Sequence, residues 1–212
     1  MTYLVEHRDR VLELTIEHLR LVGISVAVAM LIGIPLGILI TRLRWLEAPV
    51  ITGAGILYTV PSLALFAILI SYTGLGATTA IIALILYSLL AIVRNTVAGI
   101  DGVSPATLDA ARGMGMTGGQ RLALVELPLA LPVVLAGVRV ATVANIGIAT
   151  IASTIGAGGL GRLIFDGIGR VDADPIVAGA LVTSGLALAA DWSLARLGDA
   201  LRRDVDPGSG QG

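Results

Sequence analysis

From Ala48 to Val93 the chain runs 46 residues without one charged side chain. One membrane crossing needs ~20 predominantly apolar residues, so this run holds two. Its interruption is the polar, glycine-bearing stretch Ser71 to Thr79, which predicts two spans, about 50–71 and 77–93, joined by a tight turn. Leu21 to Thr41 is uncharged and reads as the first span. Leu127 to Gly161 carries only Arg139 and predicts a span near 129–152, and Pro175 to Ala195 carries only Asp191 and predicts a fifth. The expected fold is an all-α membrane protein of about five transmembrane helices. A mean hydropathy of +0.92 agrees with it.

What is missing narrows the chemistry. All 14 basic residues are Arg and none is Lys, which excludes a Walker A phosphate loop and Schiff-base chemistry. No Cys is present, so disulfides, thiol nucleophiles and Cys-ligated metals are excluded. His7 and His18 alone do not make a multi-histidine metal site, and no cofactor or metal is expected. A net charge of −1 argues against nucleic acid as a partner. The chain is not expected to be an enzyme.

Residues 1–20 mix Glu6, Arg8, Asp9, Arg10, Glu13, Glu17 and Arg20 with Leu and Val, unlike a signal peptide. Leu4, Val11, Leu14 and Leu19 recur at roughly helical spacing, so a short amphipathic helix is expected before span one. Arg42, Arg44, Arg94, Arg112, Arg121, Arg196, Arg202 and Arg203 fall on one side of the five-span arrangement. Arg8, Arg10, Arg20, Arg162 and Arg170 fall on the other. The richer side is cytoplasmic by the positive-inside rule, which puts the N-terminus outside and the C-terminus in the cytoplasm.

The longest segment on the cytoplasmic side, 94–128, is patterned as helix, bend, helix. Ser104 and Pro105 form a helix start, and Gly113 and Gly115 end that helix. Thr117 with Gln120 three residues on fits a capping box, and a second helix runs to Pro128. A connector needs only ~4–6 residues, so a loop this long and this ordered has a task.

Asp109, Ala110 and Ala111, then three residues, Gly115, nine residues, Val125, Glu126, Leu127 and Pro128 resemble the EAA loop of ABC importer permeases. That pattern reads E-A-A, three, G, nine, I-x-L-P; Asp109 replaces its Glu and Val125 its Ile. Thr59 to Leu65 (TVPSLAL), Tyr87 to Thr96, Ala110 to Met116, Val125 to Pro132 and Ile155 to Gly161 resemble the osmoprotectant permeases in particular. Ala91 stands where that group has Pro, and Gly118 and Gly119 stand where it has Pro-Trp.

The resemblance implies a type I ABC importer permease fold. It divides the chain into the N-terminal helix 1–20, a transmembrane permease domain 21–197 with a coupling loop 100–127, and a disordered cytoplasmic tail 198–212. Asp109, Ala110, Ala111, Gly113, Gly115, Gln120, Glu126 and Pro128 would meet an ATPase subunit, present in two copies. A second permease copy or paralogue and an extracytoplasmic solute-binding protein complete the implied assembly in the cell membrane. The implied cargo is a compatible solute such as glycine betaine, choline or carnitine.

Gly156, Gly158, Gly159 and Gly161 spell G-x-G-x-x-G, but at the end of a membrane span rather than in a strand–helix unit, so no dinucleotide site is expected. In the resembling family this loop lies at the external gate. Gly33 and Gly37 form a G-x-x-x-G packing face, within this chain or between copies. Arg139 and Asn145 lie inside span four. A charge at the bilayer centre costs at least ~2.5 kcal/mol, so Arg139 faces either a water-filled path or a structural partner. Asn145, Thr142, Thr59, Pro61 and Ser62 are the other path candidates, and Pro61 frees a backbone carbonyl. Asp191 and Trp192 close span five, with Asp191 expected to be solvated. Two Trp, four Tyr and two Phe show no cluster along the sequence, so a high-affinity ammonium cage is not expected and capture falls to a partner.

Two rivals share parts of this pattern. One is the same architecture importing methionine or a betaine-like compound. The other is an ATP-independent secondary transporter, which would show inverted repeats; none is visible. A membrane scaffold without transport would not account for the loop spacing.

Overall fold

The computed structural model describes residues 2–205. A short α1 (Thr2–Glu6) precedes α2 (Arg8–Arg42), whose backbone continues unbroken through the expected boundary at residue 20. No breaker lies between Glu17 and Gly23, so the N-terminal segment and span one form one helix of 35 residues, ~52 Å long. That exceeds the ~30 Å hydrocarbon thickness, so part of α2 stands clear of it. Pro35 forfeits one ladder bond without ending the helix.

Span two is a bent pair, α3 (Glu47–Thr59) and α4 (Ser62–Thr73), turned through 102°. Pro61 causes the bend. It holds the preceding Val60 in extended geometry (ψ 127°) and is itself extended (ψ 134°). The Leu57 carbonyl, which Pro61 cannot serve, accepts instead from Val60 N–H at 3.2 Å. Then come α5 (Ala77–Asp101), the loop helices α6 (Pro105–Gly113) and α7 (Gly118–Arg121), α8 (Leu127–Ala152), the short α9 (Gly161–Arg170) and α10 (Ala173–Val205).

Cross-helix contacts set the course of the chain. Along α2, Ser25 reaches the Ile81 carbonyl, Gly33 faces Ile92, Gly37 faces Thr96, and Arg44 just beyond binds Asp101. Both helices therefore run in the same direction. The chain must return between them, so the bent α3–α4 pair is itself a crossing. Against α5, α8 runs the opposite way: Gly99 faces Ala130, Asn95 faces Gly137 and Ser88 meets Asn145. α10 runs opposite to α8, since Arg139 pairs with Asp191 while Pro132 lies near Gly198. Five crossings result, and the two ends of the described chain lie on opposite sides.

The polarity is that of a chain bathed in lipid. Leu31 is 75% exposed and Leu188 71%, while His18, Ser25, Ser88 and Asn145 are fully buried. The main core joins α2, α4, α5 and α8 around Phe66, Leu84, Ile92 and Ile146. The Gly33–Gly37 face belongs to this packing within the chain: a Cβ on Gly37 would stand 2.6 Å from Thr96 Cβ. The expected tail is helical where described, since α10 continues to Val205; residues 206–212 lie outside the described residues.

Candidate functional site

The loop after α5 is built from local rules. Ser104 Oγ accepts from Thr107 N–H at 3.2 Å, and Pro105 takes the first helical turn. The helix ends in a Schellman turn. Gly115 N–H donates to the Arg112 carbonyl (2.9 Å) and Met116 N–H to the Ala111 carbonyl (3.2 Å). Gly115 sits at φ +77°, where an L side chain is strained. Thr117 and Gln120 form the capping box reciprocally, at 2.9 and 3.3 Å.

After α7, residues Leu122–Glu126 form a π turn that runs into α8 without a break. A π turn inserted into an α-helix marks functional positions in many proteins. Here it delivers Glu126 into the interior, where its side chain is 2% exposed. Arg42 at the end of α2 and Arg121 (2.9 Å) both donate to it. Asp109 is exposed and pairs with Arg112 at 2.7 Å; Ala110 is exposed, Ala111 buried, and Gly113 is the last residue of α6. Pro128 lies in the first turn of α8. Sequence reasoning placed Glu126 in the loop but not Arg42 and Arg121 around it. The signal was there, because those arginines were read only for orientation. It also missed Met114 and Leu124, apolar yet 70% and 66% exposed on this loop.

The six path candidates are not brought into one site. Thr59, Pro61 and Ser62 mark the α3–α4 bend, where Thr59 Oγ1 donates to the Ile56 carbonyl. Beside them Tyr87 O–H donates to the Val60 carbonyl at 2.6 Å, and Tyr58 meets Tyr87 edge-on with ring centroids 6.1 Å apart. The structure thus pairs two aromatics that lie far apart in sequence. Asn145 is buried and donates to Ser88 Oγ (2.8 Å) and the Leu84 carbonyl (3.2 Å), so within this chain it fastens α8 to α5. Thr142 donates to the Val138 carbonyl of its own helix.

Arg139 holds Asp191 in a two-bond pair, Nη2 to Oδ2 at 2.6 Å and Nε to Oδ1. Asp191 thus keeps partial exposure but is also paired, and the paired carboxylate offsets part of the cost of its arginine. The two side chains are 42% and 37% exposed, and Asp199 lines the same hollow as Arg139.

The loop Gly156–Gly161 is held from below by α2. Gly158 and Gly159 both have positive φ, +86° and +79°. The Gly159 N–H donates to Glu17 Oε2 at 2.9 Å, and the loop lies over buried His18, whose Nε2 meets the Ile146 carbonyl at 3.1 Å. The Ile155 carbonyl accepts from Gly76 N–H, which ties in the α4–α5 turn. A side chain at Gly161 would collide with the Thr150 carbonyl.

A five-crossing helical chain with a capped two-helix loop anchored into its spans has the fold of an ABC importer permease. Solved structures agree in fold. A chain of the MetNI methionine ABC transporter superposes with a TM-score of 0.81 at 23% identity, covering 90% of this chain and 95% of that one. An amino acid ABC transporter structure with histidines gives 0.72 at 18% identity, covering 96% and 97%. Residues 33–203 match the family described as binding-protein-dependent transport system inner membrane component, and the chain belongs to that family. It is 46% identical to the osmoprotectant import permease protein OsmW of Salmonella typhimurium, over 92% of this chain and 93% of that protein. It is 42% identical to the glycine betaine/carnitine/choline transport system permease protein OpuCB of Bacillus subtilis, over 92% and 90%.

Proposed function

We propose that this chain forms the transmembrane path of an ATP-driven importer of compatible solutes of the glycine betaine, choline and carnitine class. The observation that carries the reading is the loop 100–127, whose caps, Schellman turn and buried Glu126 fix its two helices to the spans. The names of the relatives support the solute class. Two ATPase subunits bind the loops of two permease chains, and Met114 and Leu124 supply apolar contact there. ATP binding closes the ATPase pair, pushes the loops and turns the path outward; a solute-loaded binding protein docks on the far side. The loop carries the coupling free energy between two states of the permease pair. The chain lies in the cell membrane with its N-terminus outside and its C-terminus in the cytoplasm, Gly156–Gly161 being the external gate.

The test is reconstitution. Purified in mild detergent, the permease should bring down an ATPase, and liposomes with the ATPase and binding protein should take up glycine betaine only with ATP. Gly115→Val, which strains the left-handed turn by about 1–2 kcal/mol, should insert normally and hydrolyse ATP while uptake falls. Uptake by the permease alone on an ion gradient, or full coupled uptake by Gly115→Val, defeats the reading.

A further inference from the structure

We propose that Glu17 is a positioning residue for the external gate: its carboxylate latches the glycine loop 158–159 onto α2, and the latch opens when the path opens outward. The inference rests on the gate reading of Gly156–Gly161 given above. Glu17 belongs to the helix that threads the first span, yet its hydrogen-bond partner lies 142 residues away, at the Gly159 N–H (2.9 Å). The fit is specific on the loop side as well. A Cβ on Gly158 would stand 2.5 Å from Glu17 Oε2, and one on Gly159 3.0 Å from His18 Nδ1. Both glycines hold positive φ, so the backbone presents its amide directly to the carboxylate with no side chain between them.

Among the described residues no Arg or His lies within ion-pair distance of Glu17. The Gly159 amide binds it in a half-buried place, so the bond is charge-assisted and directional. Apolar packing beneath the loop holds this closed arrangement in register: Leu160 and Leu163 pack on Leu14 and Val11, one and two turns before Glu17. Two different grips therefore hold the loop. The apolar one is indifferent to small displacements. The hydrogen bond is lost once donor and acceptor part by about an ångström. That is the property a latch needs.

The experiment uses the full complex in nanodiscs and exploits the chain's lack of Cys. A single thiol is placed by Ala157→Cys, and its alkylation rate by a maleimide is read in nucleotide-free and ATP-bound states, with and without Glu17→Ala or Glu17→Gln. In the nucleotide-free state Glu17→Ala should speed alkylation about tenfold, the equilibrium weight of one charge-assisted hydrogen bond. It should also raise ATP hydrolysis in the absence of binding protein and lower the solute imported per ATP. Glu17→Gln keeps an acceptor oxygen without the charge and should restore part of both. Alkylation that changes with nucleotide but is the same in Glu17→Ala overturns the latch alone. Alkylation that never changes with nucleotide overturns the gate reading and the latch with it. A Gln variant as impaired as Ala also overturns the latch.

Discussion

Glu126 concentrates the residue-scale chemistry. A buried carboxylate with two arginine donors is costly to leave half-paired, and each hydrogen bond to a charged group contributes about 1.5–3 kcal/mol. Glu126→Gln keeps the shape and weakens both bonds. The expected outcome is a complex that still assembles but unfolds at lower temperature and imports less solute per ATP; thermal denaturation in detergent and coupled uptake measure the two effects. Wild-type values for both would show that the loop is held by something else. Much at this scale was legible beforehand. Ser104, Thr117, Gln120 and Gly115 act as their local rules require, because capping is decided within four residues of sequence. Arg139, by contrast, needed a partner 52 residues away, Asp191, and no local signal names it.

Helix boundaries show where such legibility stops. The apolar runs located the start of α5 and both ends of α8 to within two residues, since burial in lipid demands length and little else, while α5 continues eight residues past the expected end at 93, to Asp101. Span two was located by the same reasoning, near 50–71 against an α3–α4 pair over 47–73, but its shape was not. Pro61 signalled a freed carbonyl, but the 102° bend follows from two consecutive extended residues and from Tyr87 accepting the role of partner to Val60. The opposite miss is α2, where charged residues suggested a separate surface helix although nothing breaks the backbone. Element packing also yields a prediction. Gly37→Leu would press a side chain onto Thr96, and overpacking of this kind costs about 1–3 kcal/mol. We expect reduced yield and a lower unfolding temperature. Gly53→Leu is its control, since a Cβ there meets nothing within 4 Å; equal effects from both would remove the α2–α5 contact as the cause.

For the whole molecule, the parallel course of α2 and α5 makes the number of crossings odd. The ends must then report from opposite faces. A C-terminal fluorescent protein should light in intact cells, and an N-terminal epitope should be reached by antibody without permeabilisation; both tags on one face would overturn the crossing assigned to the α3–α4 pair and, with it, the parallel course of α2 and α5 through the membrane. Five crossings and a folded loop were legible from charge and apolar length. The parallel pairing was not, because it depends on Gly33, Gly37 and Ser25 meeting a helix that begins 35 residues after α2 ends.

The unbroken length of α2 has a mechanical consequence. Glu17 touches the loop at one face of the membrane and Arg42 touches Glu126 at the other, ~37 Å apart on one rigid helix. Tilting that rod by ~10° carries one end ~6 Å sideways relative to the other. Helix tilt follows the thickness of the surrounding bilayer. Lipid acyl length is therefore a variable that acts on the glycine loop and the Glu126 anchor together, through a single lever arm.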